Sequence, residues 1–158
     1  MIKEDYQTKG YKLNFLLILI CLISFNNYSQ SNMKKVINSK NAPEPVGPYN
    51  QAVLIDGTLY LSGQIALDPK SMKMDNSSIE SETIRVLNNI EAVLKEASYD
   101  FSDIIKTTIF LTNMEDFNVV NEIYGKRFEK EFAPARETVE VSGLPKNAKI
   151  EISIIAKK

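Results

Sequence analysis

Residues 79–111 read IESETIRVLNNIEAVLKEASYDFSDIIKTTIFL, and the change of period inside this stretch decides the fold. Ile79, Val86, Leu87, Ile90, Val93, Leu94 and Ala97 share one stripe at helical spacing. Ser77 followed by Glu80 supplies a capping-box start, so the pattern predicts a helix over 79–97. The run 104–111 is β-branched and aromatic, and largely apolar on both faces, as a strand central to a sheet would be. A helix leading into such a strand is the unit of a layered α+β domain.

Toward the N-terminus, 53–55 and 58–62 flank Asp56-Gly57, a pair that favours the positive φ of a two-residue hairpin turn, and Pro69 closes that unit. Toward the C-terminus, 116–132 returns to helical period through Phe117, Val120, Ile123, Tyr124 and Phe128. Strands are predicted at 138–141 and 149–156. In the last, Ile150, Ile152 and Ile154 face one way while Lys149, Glu151 and Ser153 face the other. The order gives an α+β fold, a single mixed sheet with two helices packed on one face. The other face must be polar or covered by another subunit, and association is expected.

The chain has 158 residues with 19 Lys+Arg, 20 Asp+Glu, no His, no Trp and one Cys, Cys21. Without histidine there is no Ser-His-Asp triad, no Cys-His pair, no imidazole base and no zinc site built from His and Cys. A net charge of −1 with no basic cluster argues against a nucleic-acid partner, whose binding rests largely on neutralised phosphates. Any catalysis must use carboxylate, hydroxyl, phenol, amine, guanidinium or backbone groups.

The segment 13–25, LNFLLILICLISF, is interrupted only by Asn14 and Ser24, follows Lys3, Lys9 and Lys12, and precedes a polar stretch. This is the layout of a secretory signal peptide over 1–29, with Ser29 as the small residue before the cut and one domain over 30–158. The run is short of the roughly 20 apolar residues of a membrane span. Cleavage would place the protein in the periplasm or outside the cell, with no membrane association and no cysteine. Translation from Met33 would place it in the cytoplasm.

Five segments differ from ordinary structural sequence: GPYNQAV at 47–53, SGQIALDP at 62–69, VNEIYGKRF at 120–128, PAR at 134–136 and LPKNAKIEI at 144–152. Singly, each has a plain explanation. Gly47-Pro48 sets a turn, Gly63 a bulge, Asn121 caps a loop, and Arg136 and Glu151 are solvated charges. In this order and spacing they resemble the Rid family (RidA, also called YjgF) of reactive-intermediate deaminases, from about Met33 to the C-terminus. The most specific part is Pro134-x-Arg136, Val139, Leu144-Pro145-Lys146 and Ile150-Glu151-Ile152.

The resemblance implies a chorismate-mutase-like fold, a homotrimer with active sites between subunits, and hydrolysis of 2-imino acids such as 2-iminobutanoate and 2-iminopropanoate to 2-oxo acids and ammonia. It implies neither cofactor nor metal. Arg136 suits a substrate carboxylate, which its fork would hold by two hydrogen bonds. Glu151 would orient a water or take its proton, and Tyr49 would close the pocket. Ser62, the backbone of Gly63, Asn121 and Thr138 would line the remainder. Glu137 stands where the family usually has a small or apolar residue. Strand alternation points it away from Arg136. Thr138 stands where some relatives carry cysteine. Two other readings are a non-catalytic trimer that binds small carboxylates or a protein partner, and a ribonuclease or translation inhibitor.

Overall fold

The computed structural model describes residues 33–158, so the leader expected over 1–29 lies outside the described residues. Six strands and two longer helices follow one another as β1 (Lys35–Ile37), β2 (Ala52–Ile55), β3 (Thr58–Gln64), α1 (Ile79–Glu96), β4 (Ile104–Leu111), α2 (Phe117–Gly125), β5 (Ala135–Glu140) and β6 (Ile150–Lys157). They form one mixed sheet of order β1-β2-β3-β6-β4-β5. Only β4 and β5 are parallel, and β6 runs antiparallel between β3 and β4. The last strand of the chain therefore lies inside the sheet, in the gap that the α1 crossover leaves between β3 and β4.

The hairpin forms as its sequence requires, with φ of 49° at Asp56 and 66° at Gly57. Along α1, Val86, Leu87, Ile90, Val93 and Leu94 are fully buried against Leu59, Ile109, Ile150 and Ile152 of the sheet. Burying one such aliphatic side chain contributes about 1.5–3 kcal/mol.

Three expectations need correction. The helix cap is Ser78, whose hydroxyl accepts from the Ser81 N–H (3.2 Å) while the Ser81 hydroxyl accepts from the Ser78 N–H (3.1 Å). The box thus sits one residue later than Ser77 and Glu80, because Ser81 rather than a glutamate completes it. The second helix stops at Gly125 instead of continuing to 132. A glycine weakens a helix end, and the chain continues through a 3-10 turn at Lys130–Phe132. Strand β5 begins at Ala135, not 138, since its parallel pairing with β4 already includes Lys106 against Ala135 and Thr107 against Arg136. Strand β4 is paired on both sides, with β6 and with β5, as its largely apolar sequence predicts.

Both helices lie on one face of the sheet. On the other, strand register aligns Val36, Val53, Tyr60, Ile155 and Lys106 in one row across five strands. Tyr60 and Val36 stay 49% and 45% exposed within this chain, so the helix-free face carries exposed apolar side chains in a row that ends at the charged Lys106.

Candidate functional site

Ile150 and Ile152 are fully buried toward the helices, which turns Glu151 between them onto the helix-free face. The register between β3 and β6 shifts between Leu61 and Gln64, and Gly63 lies in that irregular stretch beside Glu151. A Cβ at residue 63 would lie 1.9 Å from Glu151 Oε1 and 2.6 Å from Cδ, so the carboxyl occupies the space that any other side chain would need. Burial pushes the Glu151 carboxyl above the usual carboxylate range.

Around Glu151, a cavity of about 270 Å³ is lined by Val46, Tyr49, Ser62, Gly63, Ile65 and Pro145. The Tyr49 hydroxyl accepts from the Val46 N–H at 3.2 Å, which folds the ring over its own turn. The Ser62 hydroxyl donates to the Asn50 carbonyl at 2.8 Å, and the Ser62 N–H donates to the Gln51 carbonyl at 2.9 Å. Ser62 therefore ties the Tyr49 loop to β3, and its oxygen faces the cavity only as an acceptor. Two buried amides brace the chain around this cavity, one through the segment before Val46 and one through the wall residue Ile65. The Gln51 side chain donates to the carbonyls of Ser39 (3.0 Å) and Pro43 (2.9 Å). The Asn89 amide, from α1, donates to the carbonyls of Ile65 (3.1 Å) and Leu67 (2.9 Å). Gln51 lies within the quoted GPYNQAV segment, while nothing in the sequence around Asn89 separates it from a surface asparagine.

Arg136 belongs to a different place. Register aligns it with Thr107, which is fully buried on the helix side, whereas Glu151 aligns with Phe110 on the other side. Within one chain the two residues stand on opposite faces of the sheet. The Arg136 guanidinium packs 5.0 Å from the centroid of the Tyr124 ring and 5.8 Å from that of Phe117. The Tyr124 hydroxyl donates to Thr107 Oγ1 at 2.9 Å, which fixes that ring, and burial pushes the phenol upward. Asn121, one turn before Tyr124, joins Arg136, Phe128, Lys130 and Pro134 around a second cavity of about 420 Å³. No carboxylate among the described residues lies within 4.0 Å of Arg136, so its fork is open to an incoming acid.

Thr138 is half-buried on β5, two residues along from Arg136 and on the same face, but it lines neither cavity. Glu137 points the other way, where it accepts from Thr108 Oγ1 at 2.5 Å and pairs with Lys106. Hydrogen bonding to Lys106, then to Thr108, holds its carboxyl below the usual range, so its charge is spent away from Arg136. The structure thus gathers Tyr49, Ser62, Gly63 and Glu151 in one cavity and Asn121 and Arg136 in another. One cavity offers a proton-accepting carboxyl against apolar walls, and the other offers a cation for an anionic group.

This mixed sheet with two helices on one face is the α+β fold of the Rid type. The chain belongs to the family described as endoribonuclease L-PSP, whose sequence model matches residues 39–158. It is 44% identical over 126 residues to the human 2-iminobutanoate/2-iminopropanoate deaminase, covering 80% of this chain and 91% of that one. Among solved structures, the Rid family protein YyfA from Yersinia pestis superimposes with a TM-score of 0.77 at 48% identity, covering 80% of this chain and 100% of the other. Escherichia coli TdcF with bound serine gives a TM-score of 0.74 at 35% identity, covering 78% and 98%.

Proposed function

We propose that the protein hydrolyses 2-imino acids to 2-oxo acids and ammonia, in sites that form where the Arg136 cavity of one copy meets the Glu151 cavity of another. The observation that carries this reading is the placement of Arg136 and Glu151 on opposite faces of one sheet, each in an open cavity. A second copy supplies what one chain separates. The apolar row through Val53, Tyr60 and Ile155 offers the surface for that contact, in a cyclic homotrimer.

Arg136 holds the substrate carboxylate by its fork, with Asn121 beside it. Glu151 accepts a proton from water, and the water oxygen attacks the iminium carbon. The carbon–oxygen bond forms as the C=N π bond breaks onto nitrogen. Glu151 then gives that proton to the amine, the C–N bond breaks to release ammonia as the hydroxyl oxygen forms the C=O bond, and the hydroxyl proton passes back to Glu151. A protonated imine is already electrophilic, so positioning of water does most of the work. Val46, Ile65 and Pro145 suit an aliphatic side chain.

The test generates 2-iminobutanoate from threonine with a dehydratase and follows its disappearance. Acceleration by purified protein, lost in Arg136→Ala, is the expected result, and absence of acceleration removes the assignment. Serine bound to the E. coli relative keeps a second reading in view, a carboxylate binder without turnover. Calorimetry with 2-oxobutanoate beside the rate assay separates the two. The ribonuclease reading suits the family description, but a chain with net charge −1 and no histidine lacks the usual means. Export rests on the 13–25 run. A native N-terminus at Gln30 or Ser31 supports it, and one at Met33 rejects it.

A further inference from the structure

Glu82, on the first turns of α1, is completely buried, and its Oε1 has no hydrogen-bond partner. Its Oε2 accepts from the Lys149 N–H at 2.8 Å. The carbonyl of the same residue accepts from the Thr112 N–H at 3.0 Å, from the end of β4. Both backbone groups of Lys149 are therefore fixed, one by a helix side chain and one by a neighbouring strand. Two residues further along, on the same side of the strand, stands Glu151. An apolar residue would fill the place of Glu82 without stranding a buried oxygen, so the carboxyl is retained for what it holds.

We propose that Glu82 is a positioning residue for the reaction: from inside the core it fixes the start of β6 and so sets where the Glu151 carboxyl stands against Gly63. The proposal rests on the deaminase reading for its kinetic part and on geometry alone for its structural part. Glu151 rests in the space that the glycine leaves free, with its Oε1, Cδ and Cγ at 1.9, 2.6 and 2.9 Å from where a Cβ on residue 63 would be. A displaced strand start would carry the carboxyl away from that seat. Burial raises the Glu82 carboxyl, the Lys149 backbone bond and Lys149 charge oppose that rise, and Asp116 adds to it. Burial comes first among these, which favours a neutral acid that an amide side chain imitates.

The experiment compares Glu82→Leu, which fills the space but offers no acceptor, with Glu82→Gln, which keeps one. Three quantities are read in the full protein: kcat and KM for 2-iminobutanoate, the Glu151 titration by carbon NMR, and amide exchange at Lys149. In Glu82→Leu, kcat is expected to fall at least tenfold with KM within threefold of wild type, and Glu151 is expected to titrate nearer an ordinary carboxyl. Glu82→Gln is expected to restore all three. An unchanged Glu151 titration in folded Glu82→Leu overturns the proposal whether or not the protein is a deaminase. An inactive wild type with a shifted titration removes the deaminase reading and leaves the structural assignment standing. Should Glu82→Leu fail to fold, wild-type exchange decides: a Lys149 amide as fast as those of Lys146 and Asn147 overturns the proposal.

Discussion

The carboxyl of Glu151 stands directly over Gly63, with Oε1 placed 1.9 Å and Cγ 2.9 Å from where a Cβ on residue 63 would be. Gly63 has no positive φ, so backbone freedom does not explain the glycine; the room that Glu151 needs does. Gly63→Ala is therefore expected to expel Glu151 from its seat and lower kcat at least tenfold, equivalent to about 1.4 kcal/mol of barrier. The global unfolding free energy should change by less than about 1 kcal/mol, because the displaced side chain is at the cavity edge. Steady-state kinetics beside thermal unfolding read both.

Because burial raises the Glu151 carboxyl, kcat/KM is expected to climb with pH until that group is ionised, above the ordinary carboxylate value. The same shift has the opposite consequence for folding. A carboxyl whose folded pKa is raised binds more protons in the native state, so its contribution to stability is largest at low pH and is lost as pH rises through the window between 4.5 and the folded value. Glu151→Gln should accordingly lower kcat by roughly 10²-fold or more while leaving Tm at pH 7 equal to or above wild type. A lowered Tm would contradict the electrostatic part.

Arg136 has a fork that lysine cannot reproduce, and its guanidinium lies against two aromatic rings. Arg136→Lys is expected to raise KM by about tenfold or more through loss of the second hydrogen bond, with a smaller effect on kcat. The far-UV and near-UV spectra should be unchanged, and a KM equal to wild type would place the carboxylate elsewhere.

Asn89 serves the site only through the backbone of its wall. Asn89→Ala leaves the Leu67 carbonyl without its donor, while the Ile65 carbonyl keeps the Leu67 N–H at 2.8 Å, so the cost should be about 1–3 kcal/mol for the one group left unsatisfied. Urea unfolding of this variant gives the value directly. A midpoint indistinguishable from wild type would show that water satisfies the Leu67 carbonyl.

Local features were readable from sequence. The α1 stripe and the Asp56-Gly57 hairpin depend on residues a few positions apart, and both form where the pattern puts them. Strand β1 is three residues long and has no period of its own; it exists because β2 offers an edge. The chemical identities in GPYNQAV, SGQIALDP, PAR and LPKNAKIEI stood out, yet their separation onto two faces depends on the register of β4 with β5 and β6. Single-strand alternation turns Glu137 away from Arg136, but it says nothing about Arg136 relative to Glu151 on another strand. Glu82 and Asn89 were invisible for a related reason. Their partners are backbone groups far along the chain, Lys149 being 67 residues from Glu82 and Ile65 being 24 from Asn89.

The claim that one chain holds Arg136 and Glu151 apart and a second brings them together is tested most directly by complementation. Arg136→Ala and Glu151→Gln, each inactive alone, are mixed in equal amounts, unfolded and refolded together. Sites built between subunits should recover about a quarter of wild-type activity in the mixture, because random assembly pairs an intact arginine with an intact glutamate at that frequency in a cyclic oligomer. A mixture as inactive as its components, from subunits shown by mass to have exchanged, would contradict it.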